Sequence, residues 1–130
     1  MKKGILAALI ACLALAAPAV ASSSIKGSWT GTYRVVKGGS GSAAVKVEIT
    51  RLRKGRTAGT VGYPGSRCHG TVVLLRHTRS GYVFRYHERG RGGCTGDDQI
   101  VMRRQGARLY WRATAPGGGQ VGVGRLRHSR

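Results

Sequence analysis

The chain has 130 residues, and 23 basic residues against 4 acidic ones give it a formal charge of +19. This length suits one domain with one core, and four carboxylates leave little material for acid/base catalysis. Such a positive surface concentrates polyanions around it. An arginine and glycine bias from a GC-rich genome is the alternative reading of the same composition.

Residues 1–21 have the three parts of a secretory signal peptide. Lys2 and Lys3 form a basic start, an apolar run follows over 5–17, and a small-residue cleavage site lies at 19–21. We therefore expect the mature chain to begin at Ser22, to carry a charge of +17 once the two lysines are removed, and to be secreted or extracytoplasmic. The leader would touch the membrane only transiently. Two alternatives stay open, a retained anchor over 4–21 and lipidation at Cys12.

The mature chain, 22–130, is predicted to be one all-β domain. Short runs in which apolar and polar residues alternate recur between glycine-rich turns. This pattern is typical of a sheet with one buried face and one solvent-exposed face. The predicted strands cover 27–36, 43–52, 57–63, 70–77, 82–88, 99–104, 108–114 and 121–127. All connections between them are short, which favours an eight-stranded antiparallel up-and-down meander. Closure into a small barrel would remove the exposed edges.

Cys68 and Cys94 are the two cysteines that remain after the leader. In an exported domain such a pair predicts a disulfide. The 27-residue loop that it closes would stabilise the fold by about 3.5 kcal/mol in the chain-entropy model. Alternate loops of a meander lie at the same end, so the third and fifth loops, which hold the cysteines, should meet. A metal site that adds His69 is the alternative.

Six short segments carry a resemblance to a known group of domains. They are Trp29-Thr-Gly-Thr-Tyr33, Gly62-Tyr63-Pro64, Cys68-His-Gly-Thr71, Gly81-Tyr-Val-Phe-Arg85, Gly92-Gly-Cys94 and Leu109-Tyr-Trp111. Over 27–127 the chain resembles small extracytoplasmic all-β domains of actinobacterial secreted proteins, which are similar to the outer segments of some membrane-bound serine/threonine kinases. The resemblance implies a secreted, disulfide-closed β domain and supplies no activity.

Arginines around the disulfide form the first candidate site. Arg67, Arg89 and Arg91 place three guanidinium groups beside Cys68 and Cys94. The intervening glycines would let backbone N–H groups face a bound anion, and guanidinium groups pair two-pronged with phosphate or carboxylate. The sequence therefore predicts anion binding here. A solvated charged loop is the alternative reading.

The second candidate site is a surface patch on the seventh strand. Tyr110 and Arg112 have the opposite parity to Trp111, which is expected in the core together with Trp29 and Tyr33. Arg34, Arg85 and Arg103 lie on other predicted strands. Aromatic rings beside arginines are typical of sheet surfaces that bind single-stranded nucleic acid.

Three functions are consistent with these residues. The first is an exported, monomeric, non-enzymatic module for an anionic partner, which is an envelope polymer, an acidic glycan or a nucleic acid. It would need no cofactor, no metal and no catalytic residue. The second is a calyx for a small ligand, for which Gly31, Gly122 and Gly124 would leave room inside the barrel. The third is a secreted hydrolase that uses Ser66, His69 and Asp97.

Overall fold

The protein is a closed barrel of eight antiparallel strands, as the meander predicts. The computed structural model describes residues 24–90, 94 and 96–129, so the predicted signal peptide lies outside the described residues. Each strand pairs with the next, and the last pairs with the first. The strands are β1 (Gly27–Lys37), β2 (Ser42–Ile49), β3 (Thr57–Gly62), β4 (His69–Thr78), β5 (Gly81–Glu88), β6 (Gln99–Gln105), β7 (Arg108–Thr114) and β8 (Val121–His128).

The period of two places apolar side chains inside the barrel. In β2, Val45, Val47 and Ile49 are buried, whereas Lys46 and Glu48 are exposed. This alternation repeats around the wall and gives one continuous core. Among the described residues, no helix is long and apolar enough to cross a bilayer; a three-residue 3-10 turn, Pro116–Gly118, precedes β8.

Strand β2 ends three residues earlier than the predicted 52. The backbone N–H groups of Thr50 and Arg51 both donate to the carbonyl oxygen of Ala58, at 2.8 and 3.2 Å. Sharing one acceptor turns the chain out of the ladder, and Leu52 then packs against the core. The connection to β3 is therefore residues 50–56, rather than the 53–56 that the predicted strand bounds leave.

Alternate connections define two ends of the barrel. Connections 38–41, 63–68 and 115–120 lie at one end, which we call the mouth, together with the described residues of the connection between β5 and β6. Connections 50–56, 79–80 and 106–107 lie at the other end together with residues 24–26, and we call this end the floor. Both predicted cysteine loops are therefore at the mouth.

The floor is closed by Trp29 and its neighbours. Trp29 is fully buried, and its indole N–H donates to the carbonyl oxygen of Ile25 at 2.8 Å. The His128 ring stacks on Trp29 with centroids 3.7 Å apart. Arg104 lies over the same indole and donates to the carbonyl oxygen of Ser24 at 2.9 Å. These contacts fasten the segment before β1 across the barrel.

Side chains pack against Gly31 and Gly124 inside the barrel, whereas Gly122 lines a pocket of about 60 Å³ near the mouth. A Cβ atom on Gly31 would lie 2.8 Å from Leu126 Cδ2, and one on Gly122 would lie 2.9 Å from Tyr33 Cδ2. On Gly124 it would lie 2.8 Å from the carbonyl oxygen of Thr32. Neighbouring groups thus approach all three glycines closely, and the calyx stays a prediction.

Candidate functional site

The disulfide joins two connections at the mouth, as predicted. Cys68 and Cys94 are bonded, and their Cα atoms are 5.5 Å apart. Beside the bond the two chain segments run together, because the backbone N–H of Arg89 donates to the carbonyl oxygen of His69 at 2.8 Å. Both sulfur atoms are used in this bond, so the alternative metal site with His69 is not formed.

The predicted arginine cluster flanks this bridge. Arg67 and Arg89 are exposed, one on each bridged segment. Gly90 brings the segments together, because a Cβ atom there would overlap Cys94 Sγ and lie 2.7 Å from the carbonyl oxygen of Arg67. Arg91, the third predicted member, lies outside the described residues. Anion binding by the three arginines therefore stays a prediction.

A larger group of arginines lies on the outer wall. Tyr110 and Arg112 point outward from β7, as predicted, while Trp111 between them is 1% exposed. In the ladders, Tyr110 is opposite Arg103 on β6 and opposite Arg125 on β8. We call the outward side of β6, β7, β8 and β1 the arginine face, and its members are Arg34, Arg103, Arg108, Tyr110, Arg112, Arg125 and Arg127.

The register places these side chains close together. Neighbouring strands lie about 4.8 Å apart, and residues two apart on one strand about 6.8 Å apart. The six arginines of the face are exposed, whereas Tyr110 is half-buried. Arg103 lies over the ring of Tyr110, with its Cζ atom 5.7 Å from the ring centroid. The face is thus a dense set of guanidinium groups around one aromatic ring.

The arginine face contains no acidic residue. The four acids of the chain are Glu48, Glu88, Asp97 and Asp98, and neither β1 nor any residue after Asp98 is acidic. Arg108 and Arg127 are directly opposite each other on β7 and β8. Like charges in such a cross-strand pair destabilise a sheet. A bound anion would remove this repulsion.

The mouth of the barrel holds a separate, aromatic cavity of about 260 Å³. Its inward-facing wall includes Tyr33, Tyr63, Tyr86, Glu88, Asp98 and Gln120, and we call it the mouth cup. The disulfide forms part of its rim. A narrower pocket of about 60 Å³ adjoins it and is lined by several of the same residues together with Trp111.

Burial perturbs the ionisable groups of the mouth cup. It raises the pKa of the Asp98 carboxyl, and the nearby Asp97 carboxylate raises this pKa further. Burial also raises the pKa of Glu88, although a hydrogen bond from the Tyr86 hydroxyl at 3.4 Å and the charge of His69 act in the opposite direction. Charged carboxylates are therefore held here at a cost in solvation.

The residues of the hydrolase alternative make other contacts. The Asp97 carboxylate contacts Nδ1 of His87 at 3.0 Å. Nδ1 of His69 lies 3.3 Å from the carbonyl oxygen of Arg67, and Ser66 Oγ accepts from the backbone N–H of Cys68 at 3.1 Å. Among the described residues, these contacts do not link the three side chains into a relay.

Some residues of these sites were not predicted from the sequence. Arg108, Arg125 and Arg127 were not assigned to the patch with Tyr110. The alternation within β8 indicates that Arg125 and Arg127 point outward. Only the register of β8 against β7 shows that they lie beside Tyr110 and Arg108. Glu88 and Asp98 were not assigned to any site, although Glu88 continues the inward-facing set of β5 and Asp98, just before β6, continues that of β6.

No protein-family model matches the chain, and neither a curated protein nor a solved structure does. The resemblance to actinobacterial extracytoplasmic domains therefore stays a prediction.

Proposed function

We propose that this protein is an exported, non-enzymatic module that binds a polyanion on its arginine face. The observation that carries the proposal is the arrangement of that face. Six exposed arginines share one acid-free side of a continuous sheet, and Arg108 directly opposes Arg127. An arrangement that repels itself when empty favours a partner that brings negative charge.

The chemistry of the side chains limits the class of partner. Guanidinium groups stay charged and form paired hydrogen bonds with phosphate, sulfate or carboxylate. The candidates are an envelope polymer, an acidic glycan and a nucleic acid. Tyr110 adds a ring on which a base could stack, a contact worth about 1–3 kcal/mol per base in other proteins. Arg67, Arg89 and Arg91 would act as a second contact region at the mouth.

Export is part of the proposal. The leader-like residues 1–21 and the disulfide between Cys68 and Cys94 both suit an oxidising compartment. Outside the cytoplasm, the anionic polymers that the protein can meet are the polymers of the envelope and released nucleic acid.

The test compares double variants that remove the same charge from different places. Arg112→Gln with Arg125→Gln alters the arginine face, and Arg51→Gln with Arg53→Gln alters exposed arginines of the 50–56 connection. Affinities for single-stranded DNA and for heparin are measured across a salt series. We expect the face variant to bind at least tenfold more weakly at low salt. Its salt slope on single-stranded DNA should fall by about 1.4, or about 0.7 per lost contact.

Two further variants assign the partner class and the second region. Tyr110→Ala should weaken DNA binding more than heparin binding if bases stack on the ring. Arg67→Gln with Arg89→Gln should cause a smaller loss than the face variant. Equal losses in all three double variants would mean that the charge acts diffusely, and failure to bind either polymer at low salt would refute the proposal.

A further inference from the structure

A single row of outward-facing residues runs around most of the barrel. Each member is opposite the next one across a ladder, from β7 through β8, β1, β2 and β3 to β4. The last member, Arg89, follows β5, and its backbone N–H donates to the carbonyl oxygen of His69 at 2.8 Å. We call this set the basic row, and in order its members are Arg108, Arg127, Thr30, Lys46, Gly62, His69 and Arg89.

The basic row joins the arginine face to the arginines at the mouth. Arg108 and Arg127 belong to the arginine face and lie at the floor end of β7 and β8, whereas Arg89 lies beside the disulfide. Neighbouring strands are about 4.8 Å apart, so the row spans about 29 Å. No member of the row is acidic, and Lys46 carries a positive charge between the two ends. A negatively charged chain therefore has a continuous path from one site to the other.

The middle of the basic row is a shallow groove in the outer wall. The groove has a volume of about 350 Å³, and its lining includes Lys46, Gly62, His69 and Arg89. A Cβ atom on Gly62 would lie 4.0 Å from its nearest neighbour on another strand, His69 Cβ, so this position leaves open space. Glu48 also borders the groove, on the floor side of Lys46. Its charge would keep an anionic chain on the mouth side, where Lys46 and Arg89 lie.

The curvature of this path favours a flexible polymer. Double-stranded DNA has a persistence length of about 50 nm, so a duplex would stay straight and contact only the arginine face. A single strand can bend around the barrel. Two side chains are suited to stack its bases, Tyr110 beside Arg108 on β7 and the exposed ring of His69 at the mouth. A basic groove combined with aromatic rings is typical of proteins that bind single-stranded nucleic acid.

We propose that the basic row binds one strand of single-stranded nucleic acid and guides it from the arginine face around to the mouth. The inference rests on the proposed function, because the arginine face is where the strand is first held. Phosphate groups pair with Arg108 and Arg127, then with Lys46, and finally with Arg89. A short strand stays on the arginine face, and a longer strand also fills the groove at Gly62.

Two lengths of single-stranded DNA separate the basic row from the arginine face. Strands of about 4 and about 12 nucleotides, within the range of known single-strand sites, are added to isotope-labelled protein at low salt. Both should shift amide signals of the arginine face, and only the longer strand should also shift those of Gly62 and His69. A duplex of about 12 base pairs should shift the arginine face alone.

Each of the other outcomes has a separate meaning. If the longer strand shifts only the arginine face, the basic row is overturned and the proposed function stands. If neither strand shifts the arginine face, the proposed function fails and this inference fails with it. If the duplex shifts Gly62 and His69 as strongly as the longer strand does, the assignment to a single strand is overturned.

Matched variants test the groove itself. Lys46→Gln should weaken binding of the longer strand by about threefold or more at low salt, lower its salt slope by about 0.7, and leave the shorter strand unaffected. Lys54→Gln, at an exposed lysine of the 50–56 connection, should change neither.

Gly62→Glu places a negative charge in the groove, and Gly62→Gln adds the same bulk without the charge. The longer strand should bind more weakly to Gly62→Glu than to Gly62→Gln, and amide spectra confirm that each variant is folded. Equal effects of Lys46→Gln on the two lengths, or equal binding of the longer strand by the two Gly62 variants, would overturn the proposal.

Discussion

Arg104 lies over the indole ring of Trp29, with its Cζ atom 5.4 Å from the ring centroid. The same guanidinium group donates to the carbonyl oxygen of Ser24. One side chain of β6 therefore fastens both the floor tryptophan and the segment that precedes β1. Arg104 is an inward-facing arginine in a chain whose other described arginines are exposed.

Replacing Arg104 should destabilise the barrel. Arg104→Gln removes a charged hydrogen bond and a cation–π contact, so we expect a loss of about 1–3 kcal/mol in the free energy of unfolding. Arg85→Gln, outward on β5 and opposite Val73 and Gln99, should change it by less than about 0.5 kcal/mol. Urea unfolding of both variants gives the comparison. Similar values for the two would show that the floor contact is not stabilising.

Gly90 should be required for the bridged connections. A methyl group at this position would overlap Cys94 Sγ and crowd the carbonyl oxygen of Arg67. Gly90→Ala should therefore cost about 1–3 kcal/mol, in the range of other overpacked sites. Gly119→Ala is the matched control, because its Cβ atom would meet nothing within 4 Å and its φ of −69° suits any residue. Thermal unfolding of the oxidised proteins measures both, and an unaffected Gly90→Ala would contradict the packing described.

The opposed pair Arg108 and Arg127 should limit stability in the absence of a partner. Arg127→Gln removes the repulsion and should stabilise the protein by about 0.2–1 kcal/mol at low salt. This corresponds to a rise of about 1–5 °C in Tm. Arg85→Gln is the control, since Arg85 is outward on β5 opposite Val73 and Gln99. The difference between the variants should shrink at high salt; a difference that persists would exclude charge repulsion as its cause.

Asp98 should make stability depend on pH in an unusual direction. The folded protein raises the pKa of the Asp98 carboxyl above its unfolded value, near 3.8, because burial favours the neutral form. The free energy of unfolding is therefore highest with respect to this group below about pH 3.8, where the carboxyl is neutral in both states. It falls as the pH rises through the folded pKa and the buried group becomes charged. Asp98→Asn should therefore be more stable than wild type at pH 7, and the advantage should disappear below about pH 4. Asp97→Asn removes the charge that raises this pKa but also loses the contact with His87, so its gain should be smaller. Melting curves from pH 3 to 8 decide between these outcomes, and a destabilised Asp98→Asn at pH 7 would contradict the account.

Most of the fold followed from local patterns in the sequence. Alternation such as that of Val45, Val47 and Ile49 marked the strands, and the short glycine-rich connections implied a meander. Irregular positions were not predictable. The register of β4 on β5 shifts between Leu74 and Arg76, and that of β1 on β8 shifts between Val35 and Lys37. Such bulges depend on the pairing of all eight strands around the closed barrel, and the sequence of one strand does not determine that pairing.

The sites were predicted less completely for a related reason. Cys68 and Cys94 could be paired, because loop alternation alone brings them to one end. The arginine face needed the register of β7 against β8, which sets Arg125 opposite Tyr110. The mouth cup needed closure of the barrel, which brings Tyr33 of β1 near Tyr63 and Asp98 from distant parts of the chain. The period of two within a strand shows which of its side chains share a face. It does not show which strands lie next to each other or in which register.

Amide chemical-shift mapping tests the central claim most directly. A short single-stranded DNA or a heparin oligosaccharide is added to the labelled protein at low salt, and shifts are followed in every strand. Polyanion binding on the arginine face predicts that the largest shifts lie in β6, β7, β8 and the facing part of β1, with small shifts in β3 and β4, and that all of them reverse on addition of salt. Shifts spread evenly around the barrel, or centred on strands outside the arginine face, would contradict the assignment.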